Sequence, residues 1–297
     1  MAVGELARRL AVAAVGIPLA LLLVYLGGWP LGLALAALAA LGAAELCDLA
    51  RAAGVRPFAG LAAAIAAGVV VFTVEGPHWT DATPWIAGVV VLGTLAAAAG
   101  SIWLRGTGGR PLDAGAITVY GGILVGAGFA SGMLLRNLDP TYAVSASWRG
   151  AALIAYPLAI IWSGDTAAYF AGTRWGRHKL LPSVSPKKSV EGAVAGLLMS
   201  VIAALIYGRL VFEAWFSLPI GPVPAAVGGA LIGAAGQVGD LAESVMKREA
   251  GVKDSGRIFP GHGGVLDRFD ALVFALPVAW AWLALALPRL IPELPWR

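Results

Sequence analysis

The sequence predicts an all-α protein that crosses a membrane many times, and three observations lead to that fold class. The 297 residues are 59% hydrophobic and only 13% charged, about half the charge of an ordinary soluble domain, where roughly 25% is usual. The apolar residues fall in long runs, several of which reach the roughly 20 residues that a helix needs to cross a bilayer. Glycine is abundant at 40 residues, which suits helices that approach one another closely in lipid through small side chains. The single cysteine, Cys47, excludes an intramolecular disulfide and a cysteine-built zinc site. No internal repeat or separate soluble segment interrupts the apolar pattern. Residues 1–297 therefore read as one integral membrane domain, with N-terminal helices over 1–150 and the chemistry over 151–297.

The runs predict about nine spans, at 10–28, 30–49, 58–75, 83–104, 116–135, 150–172, 191–212, 222–246 and 269–291. The first, within "MAVGELARRLAVAAVGIPLALLLVYLGG", resembles a signal peptide, but its apolar stretch is long enough to span and further spans follow at once. It is read as the first helix. Lys and Arg set the orientation. With the N-terminus cytoplasmic, sixteen of the 21 basic residues fall on the cytoplasmic side, and five (Arg136, Arg149, Arg209, Arg289 and Arg297) fall outside. That bias predicts a cytoplasmic N-terminus and an outer C-terminus. The polar mass then lies in two cytoplasmic loops, 173–190 and 247–268.

Three stretches concentrate ionisable chemistry. In "GQVGDLAESVMKR" (236–248), Gln237, Asp240, Ser244 and Lys247 recur at helical spacing on one face, with Glu243 beside them. Acids at membrane depth are costly and face a partner or a wet cavity; a Glu243–Lys247 pair at i, i+4 is the purely structural reading. In "GVLDRFDALV", Asp267 and Asp270 stand three apart at the start of the last span. They suit helix capping and the helix dipole. Together with Asp240 they also suit a hard cation such as Mg²⁺, which takes one or two carboxylates plus water and substrate phosphates. Between these lies "KDSGRIFPGHGG". Its glycines Gly256, Gly261, Gly263 and Gly264 let backbone amides approach an anion, Lys253 and Arg257 add positive charge, and His262 is a further donor.

The third stretch is "IIWSGDTAAYFAGTRWGRHKLLPSVSPKKSVEG". Asp165 sits deep in its apolar run, and a basic loop follows. Such a loop commonly anchors to anionic lipid. "SPKKS", with Ser185, Lys187, Lys188 and Ser189, reads instead as a second phosphate-binding element.

Taken together, the pattern S-x-x-K-R-x₄-K-D-S-G-x₃-P-G-H-G-G-x-x-D-R-x-D from Ser244 to Asp270, with "GDxxES" upstream and "SPKKSVEG", resembles the signature of the integral-membrane phosphatidate cytidylyltransferases, or CDP-diacylglycerol synthases. The resemblance rests on residues 163–192 and 236–270. It implies transfer of the cytidylyl group of CTP to phosphatidic acid, with pyrophosphate released and Mg²⁺ required; a second, monovalent cation such as K⁺ is also implied. Carried onto this sequence, it implies Asp240, Asp267 and Asp270 as metal ligands, and Asp240, Asp267, Lys188, Lys247 and Ser244 as the catalytic set. Lys187, Ser185, Arg248, Lys253, Arg257, Gly261, His262, Gly263, Gly264 and Arg268 would contact substrate. The implied setting is the inner (plasma) membrane with the site facing the cytoplasm. The partners are CTP, phosphatidic acid and membrane lipids, without nucleic acid, and a homodimer through the Gly- and Ala-rich early helices. The residues support the same chemistry independently, because two polyanionic reactants need charge stabilisation and alignment above all.

A reading from another class is an ion-coupled secondary transporter using Asp165, Asp240 and Glu243 at depth. Transporters place such groups near the midplane between related halves, whereas this chain gathers them at one edge. A CDP-alcohol phosphotransferase is excluded by the absence of its DGxxAR…GxxxDxxxD motif.

Overall fold

The computed structural model describes residues 3–74, 79–138, 146–258 and 263–290. Nine helices follow in chain order: α1 (Val3–Leu26), α2 (Gly28–Ala52), α3 (Ala59–Val71), α4 (Trp79–Leu104), α5 (Pro111–Arg136), α6 (Trp148–Trp175), α7 (Val190–Tyr207), α8 (Pro222–Glu249) and α9 (Leu266–Leu290). α7 continues through a π-helical stretch, Gly208–Glu213, into a final turn.

Each expected span coincides with a helix, but the count of nine crossings is not reproduced. Among the described residues, seven helices are long and apolar enough to cross a membrane, as befits a multi-pass membrane protein. α3 has 13 residues, about 20 Å of helix at 1.5 Å per residue, against roughly 30 Å of hydrocarbon. It stops where the Thr73 hydroxyl turns back to the Val70 carbonyl at 2.6 Å. In α1 the apolar stretch among the described residues is Gly16–Leu26.

The helix ends are chemically specified. After α2, Val55 N–H reaches Ala50 O and Gly54 N–H reaches Arg51 O; after α8, Val252 N–H reaches Lys247 O and Gly251 N–H reaches Arg248 O. This paired pattern closes a helix only through a left-handed residue. Gly54 (φ +86°) and Gly251 (φ +67°) supply it without a Cβ clash.

The purely helical expectation needs one amendment. Residues within the 173–190 loop form an antiparallel hairpin of β1 (Lys179–Leu181) and β2 (Ser185–Ser189), with Lys179 opposite Ser189 and Leu181 opposite Ser185. Thus "SPKKS" is a strand. It runs straight into α7 because the Ser189 hydroxyl caps that helix, accepting from Gly192 N–H at 3.1 Å. Glu191, in the first turn, accepts from the amides of Arg177 and His178 at 3.1–3.2 Å and pairs with His178 Nδ1 at 2.6 Å, fastening the base of the hairpin.

The chain gathers into two compact units. The first comprises Met1–Leu134, Val144–Ser147 and Met246–Phe269; the second comprises Leu135–Ala143, Trp148–Val245 and Asp270–Arg297. Within the first, α2 packs on α3 and α3 on α4, around buried Ala43, Leu46, Ile65, Ala66, Val125 and Phe129. A Cβ placed on Gly126 of α5 would lie 2.9 Å from Ala66 Cα, so these helices touch through backbone. Within the second unit α6 packs along α7, and a Cβ on Gly192 would lie 2.9 Å from the Ala168 carbonyl. Meanwhile Val91, Leu92, Leu95, Ile102 and Trp103 of α4 are exposed. In water that stripe would be an anomalous patch, but in a bilayer it is lipid contact.

These approaches make a testable distinction between glycines. Gly126→Leu is expected to lower stability in detergent by about 1–3 kcal/mol through overpacking. Gly88→Leu, whose added Cβ meets nothing within 4 Å, is expected to leave the thermal unfolding midpoint unchanged.

Candidate active site

The residues singled out from the sequence fall into two clusters, one in each unit. In the second unit, α6, the hairpin, α7 and α8 enclose a cavity of about 340 Å³. Ala168, Leu180 and Leu241 contribute apolar wall, and Asp165, Lys187, Lys188, Ser189, Gln237 and Asp240 supply its polar groups. Lys188 Nζ lies 2.5 Å from Asp240 Oδ2, with both side chains about one-third exposed. Gln237 donates to the Ala193 carbonyl at 2.9 Å, which ties α8 to the start of α7. The structure therefore brings Lys188 and Asp240 together, with Asp165 on the same cavity. The strand form of "SPKKS" delivers Lys188 to Asp240 and, through its capping residue Ser189, fixes where α7 begins. Ser185, at the outer end of β2, does not line the cavity.

Asp270 also belongs to this unit. Its backbone carbonyl lies 2.5 Å from where a Cβ on Gly239 would stand, so α9 passes against the residue preceding Asp240. Its carboxylate Oδ1 accepts from Ala271 N–H at 2.7 Å. Ser244 is half-buried on α8, and Glu243 is buried.

In the first unit the centre is Asp267. Its side chain is 7% exposed and Lys247, its cation, is 13% exposed, with Nζ 2.9 Å from Oδ1. Oδ2 accepts from Ser255 N–H (2.8 Å), from Gly264 N–H (2.9 Å) and faces the Ser255 hydroxyl (3.0 Å). Two assignments change here. α9 is not capped by its own Asp267; a carboxylate from α2, Glu45, accepts from Val265 N–H and Leu266 N–H, each at 2.9 Å. The loop glycines do let backbone approach an anion, but the anions are the protein's own. A Cβ at Gly263 (φ +80°) would lie 2.6 Å from Asp267 Oδ2, and one at Gly256 or Gly264 would overlap the Glu45 carboxylate.

Arg248, Lys253, Arg257 and Arg268 are exposed. Gly261 and His262 lie outside the described residues. Sequence reasoning missed Glu45 and Ser255. Glu45 carried a signal, an acid inside an apolar span; Ser255 carried none beyond lying in the loop.

The model of the cytidylyltransferase family matches residues 7–286. The chain belongs to that family. It is 34% identical to the phosphatidate cytidylyltransferase of Synechocystis sp. over 307 aligned residues, covering 95% of this chain and 98% of that protein. The phosphatidate cytidylyltransferase of Bacillus subtilis is 40% identical over 55% of this chain and 56% of its own length. An uncharacterized Escherichia coli protein, YnbB, is 45% identical over 43% of this chain and 41% of its own. Membership leaves the transporter reading without support.

The two ion-pair environments predict different responses. Lys247→Met removes the countercharge of a nearly buried carboxylate and is expected to cost about 3 kcal/mol. Arg51→Ala removes the exposed partner of Asp48 and is expected to change stability by less than about 1 kcal/mol. Denaturant unfolding in detergent compares them.

Proposed function

We propose that this protein transfers the cytidylyl group of CTP to phosphatidic acid, forming CDP-diacylglycerol and pyrophosphate. The observation that carries the reading is the second unit's cavity, whose apolar wall ends in the paired charges of Lys188 and Asp240, in a chain of the cytidylyltransferase family. The apolar wall suits a lipid, and the charged end suits a phosphate.

In the reaction an oxygen of the phosphatidate headgroup attacks the α-phosphorus of CTP. The bond from that phosphorus to the α–β bridging oxygen breaks, and pyrophosphate leaves with the electron pair. A phosphate monoester has a second pKa near 6, so the nucleophile is already largely a dianion at neutral pH and no general base is needed. What remains is to align two polyanions and offset their repulsion. Lys188 does this in the cavity by giving up part of its contact with Asp240 to an incoming phosphate, with Lys187 beside it. The exposed cations Arg248, Lys253, Arg257 and Arg268, with Gly261 and His262, are proposed to bind anionic phosphate; Ser185 and Ser244 supply hydroxyls.

The donor chemistry fits Mg²⁺. It takes one or two carboxylates and fills its remaining positions with water and phosphate; Asp240 lines the cavity, and the backbone of Asp270 packs against Gly239, the residue before it. Asp240 and Asp270 would hold the ion. Asp267, the third proposed ligand, would first have to release Lys247 or Ser255. Held there, Mg²⁺ would supply charge neutralisation for the transferring phosphate. The same reading puts the chain in the plasma membrane with its N-terminus and site cytoplasmic, on the Lys and Arg distribution, and takes the helices of residues 1–150 as a homodimer contact.

The test is an assay of detergent-purified protein with CTP, phosphatidic acid and Mg²⁺, following CDP-diacylglycerol and pyrophosphate. Stoichiometric formation of both is expected, with UTP a poor substitute. Asp240→Asn is expected to lower kcat by about 100-fold or more, the scale for losing one electrostatic stabiliser. A folded preparation that makes neither product overturns the proposal.

A further inference from the structure

Glu45 lies near the end of the apolar run of α2 and is 4% exposed. A carboxylate in such surroundings persists only if its oxygens are hydrogen-bonded. Three donors reach it, all from chain more than two hundred residues away: Val265 N–H, Leu266 N–H and, at 3.1 Å, the Ser255 hydroxyl. A Cβ at 256 or 264 would lie 2.4 Å from a Glu45 carboxylate oxygen, so a side chain there would push the carboxylate aside.

Those contacts are also the ones that aim Asp267. Val265 and Leu266 begin the helix that carries it. Gly264, pressed on Glu45, donates its N–H to Asp267 Oδ2. Ser255 donates its N–H to the same oxygen, and its hydroxyl stands 3.0 Å from Asp267 Oδ2 and 3.1 Å from Glu45 Oε2 while accepting from Asp267 N–H at 3.3 Å. One hydroxyl has one proton for two carboxylates. The two acids are therefore coupled: whichever receives that proton bond leaves the other relying on backbone amides.

We infer that Glu45 is a positioning residue of the cytidylyl-transfer site, holding Ser255, Gly264 and the start of α9 so that the Asp267 carboxylate keeps its orientation. This rests on the proposed function, in which Asp267 takes part. Glu45 itself touches neither substrate nor Asp267's side chain.

The experiment uses the full-length protein in detergent and the substitution Glu45→Gln, which keeps the shape but turns one acceptor into a donor facing a backbone N–H. Two readouts are taken: amide hydrogen exchange over 263–268 without substrate, and steady-state kinetics with CTP and phosphatidic acid. Losing a charge-assisted hydrogen bond is expected to speed exchange at Val265 and Leu266 by about tenfold or more. It is expected to lower kcat by about tenfold while KM for CTP changes less than about threefold. Wild-type exchange at Val265 and Leu266, or wild-type kcat, in a folded Glu45→Gln overturns the inference. Should Glu45→Gln not fold, Ser255→Ala decides: unchanged kcat and unchanged exchange at Gly264 and Asp267 overturn it. A wild-type protein that exchanges as expected but forms no CDP-diacylglycerol overturns the proposed function separately.

Discussion

Two carboxylates buried against one serine hydroxyl are the constraint around which the first unit's polar segment is built. Glu45 and Asp267 both face Ser255, and neither can be left short of donors at low exposure without a cost comparable to a protein's whole stability margin. The segment from Lys247 to Asp267 answers that demand. Its amides at 255, 264, 265 and 266 point at carboxylate oxygens, and glycines at 256, 263 and 264 keep Cβ atoms out of the way. Lys247 adds the countercharge. Among the described residues, what looks in sequence like a loose, charged loop commits its amides at 255, 264, 265 and 266 to the protein's own carboxylates.

The second unit solves a related problem differently. Its charges are not saturated but half-open: Lys188 and Asp240 pair at the edge of a cavity, where an incoming anion can compete for the lysine at modest cost. A short hairpin capped by Ser189 and fastened by Glu191 sets the position of Lys188. The contrast between a closed, donor-rich carboxylate at 267 and an accessible ion pair at 188 and 240 follows from surroundings, since both involve the same residue types.

Much of this was legible in the sequence, and the part that was not shares a cause. Hydropathy located all nine helices, because burying or solvating about 20 apolar side chains is a local property that no neighbour can reverse. Of the expected crossing at 58–75 the structure shows a 13-residue helix that ends before the chain turns at Thr73, shorter than a full span. Motif spacing picked Lys188, Asp240, Lys247 and Asp267, and each of them ends in an ion pair. It did not show that "SPKKS" is a strand, since two lysines flanked by serines carry neither period clearly. Nor did it show which anion the loop glycines admit, because a glycine reports that something approaches the backbone without saying what.

Taken by itself, the sequence determined that this chain is a helical membrane protein of low charge, with its ionisable groups gathered into two loops and the ends of the helices beside them, in a pattern shared with one enzyme family. Those features depend on composition and on spacing along the chain. Only the tertiary structure decided that Glu45, an acid stranded in an apolar helix, caps a helix that begins 221 residues later. It alone decided that Lys247 serves Asp267 and that Lys188 serves Asp240. Hydrogen bonds and ion pairs form between groups that folding brings within about 3 Å, and a distance of that kind between remote residues is written nowhere in the order of the amino acids.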